Sequence, residues 1–175
     1  DNLAGEIVGN AFTTISGVTD NAMGVRVGYA SGSTVYGGTL TGTIADNSFG
    51  DITSTGGSAY GVKVYHNIAE DGSINNNMFA NITADAADKY ASGVAVGHYV
   101  IGTGYLPNSN GAAPFLAGSV IGNSFNGLIK GSEYARGIEV GGNVGVVADG
   151  SNVSTGGKIN NNSFAGIEAT AGYAY

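Results

Sequence analysis

One pattern recurs five times along this 175-residue chain and limits what it can fold into more than any bulk property. Aligned on Asn-x-Phe, the copies are Asn10/Phe12, Asn47/Phe49, Asn77/Phe79, Asn123/Phe125 and Asn162/Phe164. Five residues before each Phe stands Ile7, Ile44, Ile74, Val120 or Ile159, and two before that Gly5, Gly42, Gly72, Gly118 or Gly157. Three after each Phe stands Ile15, Ile52, Ile82, Leu128 or Ile167. A second block follows four of these: Gly24-Val25-Arg26-Val27, Gly61-Val62-Lys63-Val64, Gly93-Val94-Ala95-Val96 and Gly137-Ile138-Glu139-Val140. Ala22, Ala59, Ala91 and Ala135 each lie two residues ahead of its glycine. Phe and that glycine are 12, 12, 14 and 12 residues apart, whereas the stretch to the next copy varies, giving Phe-to-Phe periods of 37, 30, 46 and 39.

Self-similarity at such periods marks a repeat architecture. In G-V-x-V the two valines share one strand face and x points the other way. The Ile five residues before Phe has the wrong parity for one straight strand through Asn-x-Phe. A corner is therefore expected between Ile and Asn, and each unit reads as three short strands separated by turns. Such a unit cannot bury its apolar side alone. Stacking copies sets Phe on Phe, Ile on Ile and Asn on Asn at the inter-strand spacing, about 4.8 Å, so five copies give a rod about 24 Å long.

The expectation is an all-β solenoid of about five coils, one domain over residues 1–175. Its units start near Gly5, Gly42, Gly72, Gly118 and Gly157, with the last incomplete and no cap at either end. Asn10, Asn47, Asn77, Asn123 and Asn162 are read as a structural ladder beside Phe12, Phe49, Phe79, Phe125 and Phe164. An amide buried beside an inward Phe needs a partner, and the next coil supplies one. Asn75, Asn76, Asn160 and Asn161 suit turn or left-handed backbone at the same corner.

Composition narrows the partners. Glycine is abundant, 32 residues, but with two prolines and no triplet period collagen is excluded. Six Lys and Arg against 13 Asp and Glu leave a net charge of −7. No basic face exists to displace counterions, which argues against nucleic acid and anionic membrane surfaces as partners. No apolar run reaches 18 residues, so no membrane insertion by this segment is expected. Without cysteine, neither disulfide nor thiolate site is possible. The start Asp1-Asn2-Leu3-Ala4-Gly5 lacks a basic region followed by an apolar one, so any export signal is expected outside the chain.

The order G-[VI]-x-V, a turn, then [IV]-x-x-N-x-F resembles the right-handed parallel β-helix repeat of the pectin-lyase-like superfamily. That group includes polysaccharide lyases and hydrolases, phage tailspikes and the passenger domains of bacterial autotransporters. The acidic, cysteine-free, Gly/Ser/Thr/Asn-rich character is most similar to autotransporter passengers and related surface adhesins. The resemblance implies an extracellular or cell-surface location. It also implies a non-catalytic structural or adhesive role in a surface protein or filament, with no cofactor. The alternative it implies is a polysaccharide-binding or polysaccharide-cleaving β-helix.

Chemistry would be expected on the outward positions of G-V-x-V, which are Arg26, Lys63, Ala95 and Glu139. A glycosidase needs two carboxylates facing one substrate. Only one is present, so no catalytic, cofactor-binding or metal residue is assigned, and these charges are read as solvated. Glu70, Asp71, Asp85 and Asp88 read as loop acids. His66 and His98 hold equivalent places and read as an exposed pair. Tyr90, Tyr134 and Tyr173 align as a stripe covering the mouth of the core, or alternatively facing sugars. The Thr39–Thr43 stretch suggests an ice-binding threonine array but does not recur. Asn81-Ile82-Thr83 and Asn152-Val153-Ser154 match glycosylation acceptors. The long insertion from Gly97 to Gly118, with Pro107 and Pro114, is a candidate binding loop or a cover over the rod's side. Tyr173-Ala174-Tyr175 matches Tyr90-Ala91-Ser92, and Leu3-Ala4-Gly5 matches Leu116-Ala117-Gly118. Continuation in a longer chain or end-to-end self-association is the expectation drawn from these matches, with a host surface or polysaccharide as further partner.

Overall fold

A computed structural model describes residues 2–31, 34–100, 104–106, 114–144 and 157–175, with backbone alone at 98–100, 104–106 and 143. The described residues are all-β, and the long-range order is parallel. Strands Glu6–Val8, Thr43–Ala45, Ser73–Asn75, Ser119–Ile121 and Lys158–Asn160 form one sheet, aligning Ile7, Ile44, Ile74, Val120 and Ile159. The Phe-bearing strands form a second: Ala11–Gly17, Ser48–Ser54, the pair Met78–Phe79 and Ile82–Ala84, Ser124–Gly131 and Ser163–Ala169. The G-V-x-V strands form a third: Ala22–Val27, Ala59–Val64, Tyr90–Val96 and Tyr134–Val140, with Tyr173–Ala174 at its edge. In these sheets each strand pairs with its counterpart in a neighbouring unit. This is consistent with a β-solenoid.

A fourth parallel sheet, absent from the three-strand reading, joins Thr39–Leu40, Asn67–Ile68, Phe115–Leu116 and Asn143–Val144. Its strands are two residues long and lie in the stretches of variable length; Leu40 and Leu116 stand two residues before Gly42 and Gly118, as Leu3 does before Gly5, but Ile68 stands four before Gly72. Leu40, Ile68 and Leu116 nonetheless point inward and are fully buried. Two antiparallel hairpins interrupt the parallel order, Tyr29–Ser31 with Thr34–Tyr36 and His98–Val100 with Gly104–Leu106.

The expected corner is a single residue. Immediately before each ladder asparagine stands a residue with positive φ: Gly9 at 69°, Asp46 at 54°, Asn76 at 55°, Gly122 at 69° and Asn161 at 54°. Gly, Asn and Asp tolerate this left-handed region at least strain. Asn75 and Asn160 lie in strands instead.

One continuous apolar cluster runs through the units, including Ile44, Phe49, Val62, Ile74, Phe79, Val94, Val120 and Phe125. Adjacent Phe rings lie 4.8 to 4.9 Å apart and within 7° of parallel, from Phe12 through Phe164. The second-block glycine is explained by this stack. A Cβ on Gly93 would lie 2.4 Å from the Phe125 ring and 2.5 Å from the Gly137 carbonyl oxygen. Gly24, Gly61 and Gly137 meet the Phe of the following unit in the same way.

Leu128 departs from its expected place. The strand Ser124–Gly131 shifts register between Phe125 and Leu128, so Ile129 pairs with Ile82 and Ile167 while Leu128 lies opposite Gly166. The extra residue is accommodated where Gly127 passes close to the Asn81 amide, its missing Cβ falling 2.5 Å from Oδ1.

Candidate functional site

Two side-chain systems span the units. The inner one is the asparagine ladder. Asn10, Asn47, Asn77 and Asn123 each donate from Nδ2 to the Oδ1 of the next asparagine, at 3.0, 2.9, 2.9 and 3.0 Å. The same Oδ1 also accepts the backbone N–H of the donating asparagine, at 2.9 to 3.1 Å. Looking backwards, Nδ2 of Asn47, Asn77, Asn123 and Asn162 donates to the carbonyl of Ile7, Ile44, Ile74 and Val120. The left-handed corner turns each asparagine toward the stack, and Asn47, Asn77 and Asn123 are buried with both amide ends engaged.

The outer system lies on the far side of the G-V-x-V sheet. Register brings Arg26, Lys63, Ala95 and Glu139 side by side, and Met23, Tyr60, Ser92 and Arg136 beside them. The expectation of solvated charges holds for Arg26, which is exposed. It fails for Lys63, 5% exposed, and for Ala95 and Glu139, which are buried and half-buried. Residues outside the repeat overlay this wall. Val35, from the first hairpin, packs on Tyr65 with Met23 and Ala30, and the carbonyl of Gly97 accepts Lys63 Nζ at 2.6 Å. Nζ also sits 4.9 Å from the Tyr60 ring centre and 5.6 Å from that of Tyr65.

Burial governs protonation here. Desolvation pulls the Lys63 ammonium down to about 8, with Glu139 opposing the shift and Arg136 adding to it. Desolvation likewise raises the Glu139 carboxyl, against the opposing pull of Lys63. Burial also raises the Tyr60 and Tyr65 phenols. Arg136 donates to Glu139 and spreads its guanidinium 4.6 Å above the Tyr134 ring. The wall thus holds one carboxylate, already engaged by a guanidinium, and one amine enclosed by two rings and a carbonyl.

Tyr90, Tyr134 and Tyr173 stack with centres 5.4 and 6.0 Å apart. They stand on the outer side, next to Ala91 and Ala135 that enter the core, so they do not close its mouth as expected. His66 is a second correction. It is 1% exposed, its ring edge-on to Phe115 at 6.5 Å. It follows Val64 into the short fourth-sheet region, where Phe115 from the distant insertion covers it. The His98 side chain, residues 101–103 and 107–113 of the insertion and Asn152–Ser154 lie outside the described residues. Among the described residues, no three His, Asp or Glu side chains gather as a metal site. Asn81 is exposed, and its Nδ2 donates to Asp51 at 3.0 Å.

Searches of protein-family models, curated proteins and solved structures for relatives of this chain found no match.

Proposed function

We propose that this chain is a right-handed parallel β-helix that serves as a non-catalytic structural or adhesive segment of a bacterial cell-surface protein or filament. One observation carries the reading: Asn and Phe ladders run through all five units without interruption. Their regularity supports a stiff support rather than a shaped cleft. Such a ladder has no intrinsic length, so the partners that fit are further units of the same repeat, in one chain or several. A host surface or polysaccharide fits along its flanks.

Tyr29 and Tyr36 favour a sugar-binding variant of this role. Their rings stack at 4.9 Å on the first hairpin, each 43% exposed, and flat exposed rings suit the apolar faces of sugars. Incubation with a panel of acidic polysaccharides, read for binding and for new reducing or unsaturated ends, tests both readings. Binding without turnover is the expected result, weakened by Tyr29→Ala. Turnover that disappears in Glu139→Gln would overturn the non-catalytic reading.

A further inference from the structure

The bulge that takes Leu128 out of the stack holds a reactive dipeptide, Asn126-Gly127. Pairing on one side jumps from Phe125 and Phe164 to Leu128 and Gly166. On the other side it jumps from Phe125 and Phe79 to Ile129 and Ile82. Asn126 and Gly127 therefore fall between paired positions on both flanks, where a bulge interrupts the ladder. Asn126 is exposed, and its carboxamide has no hydrogen-bond partner among the described residues. Gly127 carries no side chain to shield its backbone nitrogen, and a Cβ there would lie 2.5 Å from Asn81 Oδ1. That same oxygen accepts the Leu128 N–H at 2.9 Å, which pins the far end of the bulge.

The ladder asparagines are placed in the opposite way. Asn47 and Asn123 are buried, and each is followed by a serine. Nδ2 of Asn47 donates to Ile7 O and Asn77 Oδ1, and Nδ2 of Asn123 to Ile74 O and Asn162 Oδ1. The next backbone nitrogens are held as well, Ser48 N–H by Asn10 O and Ser124 N–H by Asn77 O, both at 2.8 Å. Neither side chain can turn onto the following nitrogen without breaking the ladder.

We propose that Asn126 is a self-modifying site, converted at the bulge to aspartate and isoaspartate. The Gly127 backbone nitrogen gives up its proton and attacks Asn126 Cγ. The new C–N bond closes a succinimide as Cγ–Nδ2 breaks and ammonia leaves. Water then opens the ring at either carbonyl, giving aspartate or, with an extra backbone methylene, isoaspartate. The lengthened backbone falls where the register is already shifted. Each event adds a negative charge beside the open trough of about 460 Å³ that Asn126 lines with Gly50, Met78 and Ala80.

Peptide mapping of the whole chain after incubation at pH 8 and 37 °C tests this. A parallel sample unfolded in guanidinium chloride cancels the lability that belongs to the dipeptide alone. Asn126 should convert in the folded chain within about tenfold of its unfolded rate, whereas Asn47 and Asn123 should be slowed at least about a hundredfold. Isoaspartate at this site, scored by enzymatic methylation of the peptide covering 124–130, should be missing from Asn126→Gln. That change disturbs no hydrogen bond among the described residues. A folded-state rate at Asn126 more than about tenfold below the unfolded one overturns the proposal, as does methylation of that peptide persisting in Asn126→Gln.

Discussion

Asn77 shows how much a single residue carries. Its Oδ1 accepts from Asn47, and its Nδ2 donates to Asn123 and to the carbonyl of Ile44, all in a fully buried setting. Asn77→Asp keeps the shape but replaces the donor with an acceptor facing Asn123 Oδ1 and Ile44 O. The expected loss at pH 7 is about 3–5 kcal/mol in denaturant unfolding, since Oδ1 keeps its donors from Asn47 but the second carboxylate oxygen, buried and charged, faces two acceptors. It should shrink at pH 4, where a protonated carboxyl can donate once. Lys63 sets a second expectation. Its folded value, about 8, lies below the ordinary 10.5, so the unfolded chain binds more protons between these limits and stability rises with pH there. Between pH 8 and 9.5 the gain should be about 1.5 kcal/mol, before tyrosine ionisation opposes it. Urea melts at the two pH values should show the rise in the wild type and not in Lys63→Met.

Between neighbouring elements, the Phe rings and second-block glycines form one packed interface. Phe79 is enclosed between the rings of Phe49 and Phe125, and Phe79→Ala should cost about 3–5 kcal/mol by opening a cavity. Phe164 is 38% exposed, and the same change there should cost clearly less in this chain. Equal losses in denaturant unfolding would contradict a linear stack. Gly93→Ala places a methyl group against the Phe125 ring and the Gly137 carbonyl at distances no real Cβ tolerates. The sheet and ring stack must then part locally, with an expected loss of about 2–4 kcal/mol. Gly166→Ala is the control, because its Cβ would meet only the movable Leu128 side chain at 3.1 Å.

At the scale of the whole molecule, contacts link each unit mainly to its neighbours, so protection should be graded along the chain. Hydrogen exchange is expected to be slowest across residues 44–96, where Ile44, Ile52, Ile74, Ile82 and Val94 are fully enclosed. It should be faster at 6–17 and 158–169, where most side chains are exposed or half-buried. A uniform rate throughout would indicate one all-or-none unit instead of a stack.

The repeat itself was legible because every rung of a ladder imposes the same demand on its residue. Asn must pair with Asn, Phe must lie on Phe, and the corner before Asn must accept positive φ, so the same letters recur at the same offsets. Leu128 marks the limit of that reading, since a one-residue bulge shifts Ile129 into the stack and spacing alone cannot show which of two adjacent apolar residues turns inward. The fourth sheet was marked only by the offset that Leu3, Leu40 and Leu116 share and Ile68 breaks, and the outer wall was not marked at all, for another reason. Leu40, Ile68, Val35 and Gly97 come from stretches whose lengths differ in every unit, and their contacts bridge residues far apart in sequence. Period-two alternation places Lys63 on the outward face, but outward of the core became buried only when a hairpin and a strand exit folded over it. Local alternation determined which way each side chain points; tertiary packing of the irregular segments decided which outward side chains remain in water.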